Sequence, residues 1–378
     1  MKEVKRHADL DWIKVLATLV VFLYHCSMFF NQFAWHVKNN IVNHTYILAF
    51  TLAVSAWIMP VFFVISGIGT VFSLRSRSGS KYLKERFSRL GIPLLFGVFI
   101  LSPPQVYIER ITHHQFEGSF WSFFPHYFDG VYLDIGGTGN FAFVGLHLWY
   151  LLVLLVFSIF TLPYFKRMVG SEEMGFSFKH YFFLPLIFFV TAGFLNFLNL
   201  GSWGIVNYLV LYIYGFMYFS RESFREFVRG KGTLFGVLSL GMTTLFVSWF
   251  MIGFPLEGPI SLGYTALRVL SCWNSILFIF YLGDKFLTTS NSFLKYGSKA
   301  SMPFYVVHQP VIVFIGYFIY RLDWPVAAKL IFLIVIAFIT IMLIYQFIIQ
   351  KSGRLGVLFG IKDRKKELTT HFNTNQQM

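Results

Sequence analysis

The apolar stretches of this chain are continuous, and each is about as long as a bilayer is thick. Trp12 to Phe30 holds one lysine and one histidine in an otherwise mostly apolar run, and comparable runs recur along the sequence. A hydrocarbon core of about 30 Å needs roughly 20 residues of helix to cross it. Lipid offers the backbone no hydrogen bonds, so a crossing segment is a helix or part of a closed barrel. Barrel strands alternate apolar and polar residues over about ten positions, and these runs do not. The chain therefore reads as an all-α membrane protein. Of its 378 residues 56% are hydrophobic and 13% are charged, against about 25% charged in soluble domains. That excludes a disordered chain and makes an ordinary soluble enzyme a poor fit. Cys26 and Cys272 both lie in apolar runs, with no disulfide framework and no metal-ligand spacing.

Ten spans are expected, at roughly 12–30, 47–73, 91–108, 143–165, 181–200, 205–220, 233–253, 263–283, 301–320 and 325–349. The net charge of +14 would suggest nucleic acid in a soluble chain. In a membrane chain it reflects the retention of Lys and Arg on the cytoplasmic side, and no nucleic-acid partner is expected. With both termini cytoplasmic, only Lys38, Arg110, Arg321 and Lys329 fall outside. Lys14 and Arg268 lie within spans, and every other basic residue is inside. The connection Leu200-Gly201-Ser202-Trp203-Gly204 between the fifth and sixth spans is very short. A re-entrant hairpin is the alternative there, and it leaves the other orientations unchanged. The transmembrane domain is expected over 1–350, followed by a polar, disordered cytoplasmic tail over 351–378. The outer loop, about 109–142, carries His113, His114, His126, Asp129, Asp134 and a glycine-rich stretch. It either grips a sugar or caps the bundle.

Ionisable groups inside a membrane are costly and mark cavities or partners. Lys14 and His25 are 11 residues apart, which puts them on one helix face about 16 Å apart. Lys14 either snorkels to the inner headgroups or meets an anionic ligand. His25, in the outer half, is either a hydrogen-bonded core histidine or a base. His147, next to Trp149, lies near the outer end of the fourth span, where an interfacial aromatic belt is the plain alternative. His308 lies between Pro303 and Pro310, which suggests a kinked or broken helix with exposed backbone groups. It is expected toward the inner face. Arg86 and Arg89, three apart on a basic helix, suit phosphates or anionic lipid heads. An inner layer of Lys14, Arg86, Arg89 and His308 would then hold an anionic donor. An outer layer of His25 and His147 would move protons.

These residues resemble the motifs of the acyltransferase 3 family of integral membrane acyltransferases. Lys14-x10-His25 resembles the first-span signature, in which arginine is commoner than lysine. Val61-Phe62-Phe63-Val64-Ile65-Ser66-Gly67 is similar to the second-span segment. Arg86-x-x-Arg89-x-Gly91-Ile92-Pro93, His147-Leu148-Trp149-Tyr150-Leu151 and Tyr305-x-x-His308-x-Pro310 follow in the family's order. Trp35-His36-Val37 is similar to the glucan biosynthesis protein C branch, whose members succinylate periplasmic glucans. The resemblance implies transfer of a short acyl group, acetyl or succinyl, from cytoplasmic acyl-CoA to a hydroxyl of an extracytoplasmic glycan. It implies no bound cofactor and no metal. His25 would be the general base. Arg86 and Arg89 would bind the CoA phosphates with Lys14 assisting, but lysine lacks the planar fork of arginine. His147, Trp149 and His308 would line the path or orient the substrates. A transporter or flippase for a lipid-linked or anionic sugar is the competing reading, and a non-enzymatic scaffold is a third.

Overall fold

A computed structural model describes residues 7–42, 44–170 and 175–361. Eight of the described helices are long and apolar enough to cross a membrane. They are α1 (Ala8–Met28), α2 (Thr45–Ser76), α3 (Gly79–Thr112) and α4 (Leu146–Met168), then α7 (Glu222–Ile252), α8 (Ser261–Phe286), α9 (Ser292–Ile319) and α10 (Val326–Ile349). Between α4 and α7 lie two shorter apolar helices, α5 (Phe178–Phe194) and α6 (Ile205–Phe219). They are joined by a two-stranded antiparallel hairpin, β1 (Asn199–Leu200) and β2 (Trp203–Gly204). All ten expected apolar segments are thus helical. The ends differ most where polar residues extend a helix: α3 begins at Gly79 rather than 91, α7 at Glu222 rather than 233, and α9 at Ser292 rather than 301. The expected disordered tail needs correction at its start. Residues Gly353–Leu358 form a helix, α11, capped by Ser352. Residues 362–378, which the tail was expected to include, lie outside the described residues.

The helices are not uniform, and proline explains much of the irregularity. In α3, π turns at Phe87–Gly91 and Gly97–Leu101 are each followed by an α segment with proline in its first turn. Proline has no N–H, and its ring meets the carbonyl four residues back. A wider π turn immediately before it relieves both conflicts. By contrast α9 holds Pro303 and Pro310 and remains a continuous helix, so the expected break does not occur.

The chain divides into two compact units. The first comprises residues 1–24, 45–82 and 157–298. One end of its helices is tied by ions: Arg225 bonds Asp9 at 2.7 Å, and Arg229 grips Asp284 with two bonds of 2.8 and 2.9 Å. The start of α1, the start of α7 and the end of α8 therefore lie at one end. Deeper in this unit α2 and α6 cross closely. A side chain on Gly67 would collide with the Tyr212 carbonyl, and one on Gly215 with the Val64 carbonyl. The Ser66-Gly67 pair of the second-span segment is where that crossing occurs.

The second unit comprises residues 25–44, 83–156 and 299–378. A cluster of Val106, Phe123, Tyr127, Tyr132, Ala142 and Leu146 folds the 113–145 connection onto the end of α3. The 29–44 connection is held by two lysines. Lys38 donates to the Met28 and Phe33 carbonyls, and the fully buried Lys329 donates to Asn39 and Asn40. These anchors fix Trp35 and His36, which are themselves buried.

Candidate active site

Within the second unit three histidines from three helices converge. His25 Nδ1 lies 2.7 Å from His308 Nε2, and His308 Nδ1 lies 2.6 Å from the Tyr305 carbonyl. The His147 ring stands edge-on to His308 with centroids 5.1 Å apart. Trp35 stacks on His25 at 5.3 Å. This corrects the expected depth of His308. Because α9 begins at Ser292, His308 lies about 24 Å along it, and His25 lies about 25 Å along α1 from Ala8. His308 therefore shares the level of His25 and is not in a separate layer from it.

The backbone determines the tautomers. A carbonyl can only accept, so His308 Nδ1 carries the proton and donates to Tyr305. Neutral His308 then has its lone pair on Nε2 and accepts from His25 Nδ1–H. In neutral His25 the lone pair consequently sits on Nε2, the usual base position. His147 is set in the same way. Pro310 has no N–H, so the Val306 carbonyl, four residues earlier, lacks its usual helical donor. His147 Nε2 donates to that carbonyl at 3.2 Å. The Tyr305 hydroxyl in turn donates to the His147 carbonyl. The proline pair was expected to expose backbone groups, and at Val306 it does so without breaking the helix. Two enclosed polar atoms here take no hydrogen bond: His147 Nδ1 and Trp35 Nε1.

Beside the histidines lies a second buried network whose centre, Glu109, sequence reasoning missed. Glu109 is fully buried, and its Oε2 accepts from His36 Nδ1 at 2.5 Å and from the Tyr132 hydroxyl at 2.7 Å. Its Oε1 accepts from the Gly136 N–H at 2.8 Å and from Arg110. Gly136 has φ +82, a left-handed conformation that suits glycine. His36 Nε2 accepts from the Gln309 amide, which also donates to Gln105. Gln309 immediately follows His308, so the network ends beside the histidine pair. Burial and the Glu109 carboxylate push the Tyr132 phenol far up, which keeps it a donor. The glycine-rich stretch of the outer loop thus wraps Glu109 and Arg110, the latter donating to Gly139 and Asn140. For Glu109 itself the only sequence signal was an acid–base pair, Glu109-Arg110, at the end of an apolar run.

The remaining expected residues lie elsewhere. Arg86 is partly buried and Arg89 exposed, near the start of α3. Arg89 is about 30 Å along α3 from Glu109, so the basic pair is not brought to the histidines. The π turn that opens at Phe87 also breaks the three-residue spacing that was to align the two arginines. Lys14 is partly buried in the first unit, and Trp149 is partly buried at the start of the regular helix of α4. Cys26 is fully buried. Among the described residues no group of three His, Cys, Asp or Glu could hold a metal.

The profile of an acyltransferase domain, that of the acyltransferase 3 family, matches residues 7–346. The chain belongs to that family. It is a multi-pass membrane protein and an acyltransferase. Curated relatives include glucans biosynthesis protein C of Escherichia coli O17:K52:H18 (strain UMN026 / ExPEC) and of E. coli strain K12. Each is 25% identical over 336 residues, covering 83% of this chain and 84% of the relative. The same protein of E. coli O1:K1 / APEC is 25% identical over 335 residues. No solved structure matches the chain.

Proposed function

We propose that this acyltransferase moves a short acyl group from acyl-CoA on the cytoplasmic side to a hydroxyl of a glycan on the outer side. The observation that carries the reading is the ordered set Tyr305 carbonyl, His308, His25. It presents a neutral imidazole with its basic nitrogen defined. His25 Nε2 takes the proton of the acceptor hydroxyl as the oxygen attacks the thioester carbonyl. The C–O bond forms, the C–S bond breaks, and the proton passes from His25 to the departing thiolate. His308 accepts from His25 Nδ1 throughout, so it steadies the imidazolium without itself changing protonation. The logic is that of a base held by a third group. Trp35 Nε1–H is suited to donate to the oxygen that gains charge in the transition state, and His147 Nδ1 to accept from a substrate N–H or O–H. Arg86 and Arg89 would hold the donor's phosphates, Lys14 would add charge on the helix that carries His25, and Trp149 would line the path.

In this reading α1 to α10 all cross and both chain ends lie in the cytoplasm. The distribution of basic residues supports that, as does the shared end of α1, α7 and α8. The relatives' name supports a glucan as the acceptor class.

Inside-out vesicles supplied with acyl-labelled CoA would test the proposal, with label followed into lumenal glycan. His25→Ala should cut transfer by about two orders of magnitude or more, the scale of a lost general base. His308→Ala should lower kcat by less and leave KM near its original value, because it acts through His25. Equal transfer by wild type and His25→Ala would remove His25 as the base.

A further inference from the structure

Arg268 is not used by this mechanism. It lies in α8, seven residues from Ser261 and so about 10 Å in from that end of the helix. One Nη2 proton goes to the Ser202 carbonyl. The guanidinium lies over the Trp203 ring at 4.1 Å. Its Nε is enclosed and takes no partner. Tyr264, Tyr208, Cys272 and Tyr24 stand near it, all neutral side chains. The carboxylates of Asp9 and Asp284 in the same unit are already held by Arg225 and Arg229. Among the described residues no carboxylate pairs with Arg268.

A cation within a span needs a counter-charge, and an intramembrane ionisable group without one is a site by default. The surroundings narrow the ligand. Nε and the neighbouring Nη form the fork that takes two oxygens in one plane. A single cation balances a single negative charge. One guanidinium alone leaves a phosphate dianion half compensated. The β1–β2 hairpin brings Ser202 and the Trp203 face to the guanidinium, and the Tyr208 hydroxyl donates to the Leu200 carbonyl of the same hairpin. The surround is aromatic and hydroxylic, suited to a small planar anion.

We propose that Arg268, walled by Trp203 and the Tyr24, Tyr208 and Tyr264 phenols, is a receptor for one carboxylate group. Two carriers fit: the far end of a dicarboxylic acyl group on the donor, or an acid group on the acceptor. Only the identity of the carrier rests on the acyl-transfer reading above.

The purified full-length protein in lipid nanodiscs would test this by thermal unfolding with monomethyl succinate, its amide, inorganic phosphate and chloride. Wild type should be stabilised in a concentration-dependent way by the acid alone. Equal stabilisation by the amide or by phosphate would overturn the proposal. This comparison needs no variant. Arg268→Gln should bind the acid about thirtyfold more weakly or worse, on the scale of truncating one partner of a buried charge pair. Arg268→Lys keeps the charge but not the fork and should fall between. Equal affinity in all three proteins would also overturn it. Competition by succinyl-CoA but not acetyl-CoA would place the carboxylate on the donor. Competition by an acidic but not a neutral oligosaccharide would place it on the acceptor. Competition by neither would remove both carriers. Acid binding in a protein that transfers no label from any donor would leave the receptor standing and remove the acyl-transfer reading. Transfer without acid binding would do the reverse.

Discussion

At the scale of single residues, the most constrained side chain is Glu109. Both its oxygens are acceptors, and His36, Tyr132, Gly136 and Arg110 all donate to them. Glu109→Gln keeps the shape but turns one acceptor into a donor facing donors. A buried unpaired donor costs about 1–3 kcal/mol. The thermal transition should fall by several degrees, and transfer should fall with it because Gln309 and His308 lose their fixed neighbours. Glu109→Gln with unchanged unfolding temperature would mean that the network is not formed. Lys38 makes a second test. Burial pushes its amine down to about 8 from an ordinary value of 10.5. A lower value leaves more of the reactive free amine at any given pH. Labelling of Lys38 by a small amine-reactive reagent should therefore be half-maximal near pH 8, falling tenfold per pH unit below it. A profile centred near 10.5 would mean that the 29–44 connection does not enclose the side chain. Neither environment was legible in the sequence. His36 and Glu109 are 73 residues apart: His36 stood out only within Trp35-His36-Val37, and Glu109 taken alone looks like an ordinary polar residue near a helix end. His25, His147 and His308 were legible as candidates because a histidine in an apolar run stands out.

At the scale of elements, apolar run length located α1 to α10, since the requirement to satisfy the backbone within lipid leaves little choice; it gave no sign of α11. It misplaced helix ends wherever polar residues continue a helix beyond the hydrocarbon. That error separated His308 from His25: α9 starts nine residues before the apolar run, at Ser292, and the extra turns bring His308 level with His25. The π turns in α3 were illegible for a different reason. Proline signals a disturbance but does not say whether the helix widens, bends or stops, and α3 and α9 respond differently. The contact between α2 and α6 depends on Gly67 and Gly215, each facing a carbonyl of the other helix. Gly67→Ala must force the helices apart, and overpacking of this kind costs about 1–3 kcal/mol or more. The expected outcome is a lower unfolding temperature with the residual folded fraction still active, because none of the converging histidines lies in that unit. A variant as stable as wild type would mean that the crossing is looser than described.

At the scale of the whole molecule, α5 and α6 decide the topology. Their lengths of 17 and 15 residues span about 25 and 22 Å, short of a full hydrocarbon core. The β1–β2 hairpin between them sits deep: the Trp203 indole donates to the Ala56 carbonyl at 2.9 Å, eleven residues into α2. If both helices cross, an Asn199→Cys variant should react with a membrane-impermeant thiol reagent added to intact cells. Cys26 and Cys272 are fully buried and should stay silent. Reaction only from the cytoplasmic side would make the pair a re-entrant hairpin. Either result preserves the orientation of the other eight helices, because a pair that crosses twice and a pair that turns back both return the chain to the same side.

The basic pair opens α3, and Glu109, whose network reaches Gln309 beside the histidines, lies near its far end; on the proposed reading this separation would govern the response of the reaction to membrane voltage. On that reading a donor held at Arg86 and Arg89 would leave its phosphate charges in the cytoplasm, and only the acyl group would travel outward. An acetyl group carries no charge across the field, so its transfer should be indifferent to an imposed potassium diffusion potential. An acyl group ending in a carboxylate carries one negative charge through much of the drop, worth about 2.3 kcal/mol per 100 mV for a full crossing. Its transfer should quicken when the interior is made negative. Voltage thus distinguishes a neutral from an acidic acyl group without any change to the protein.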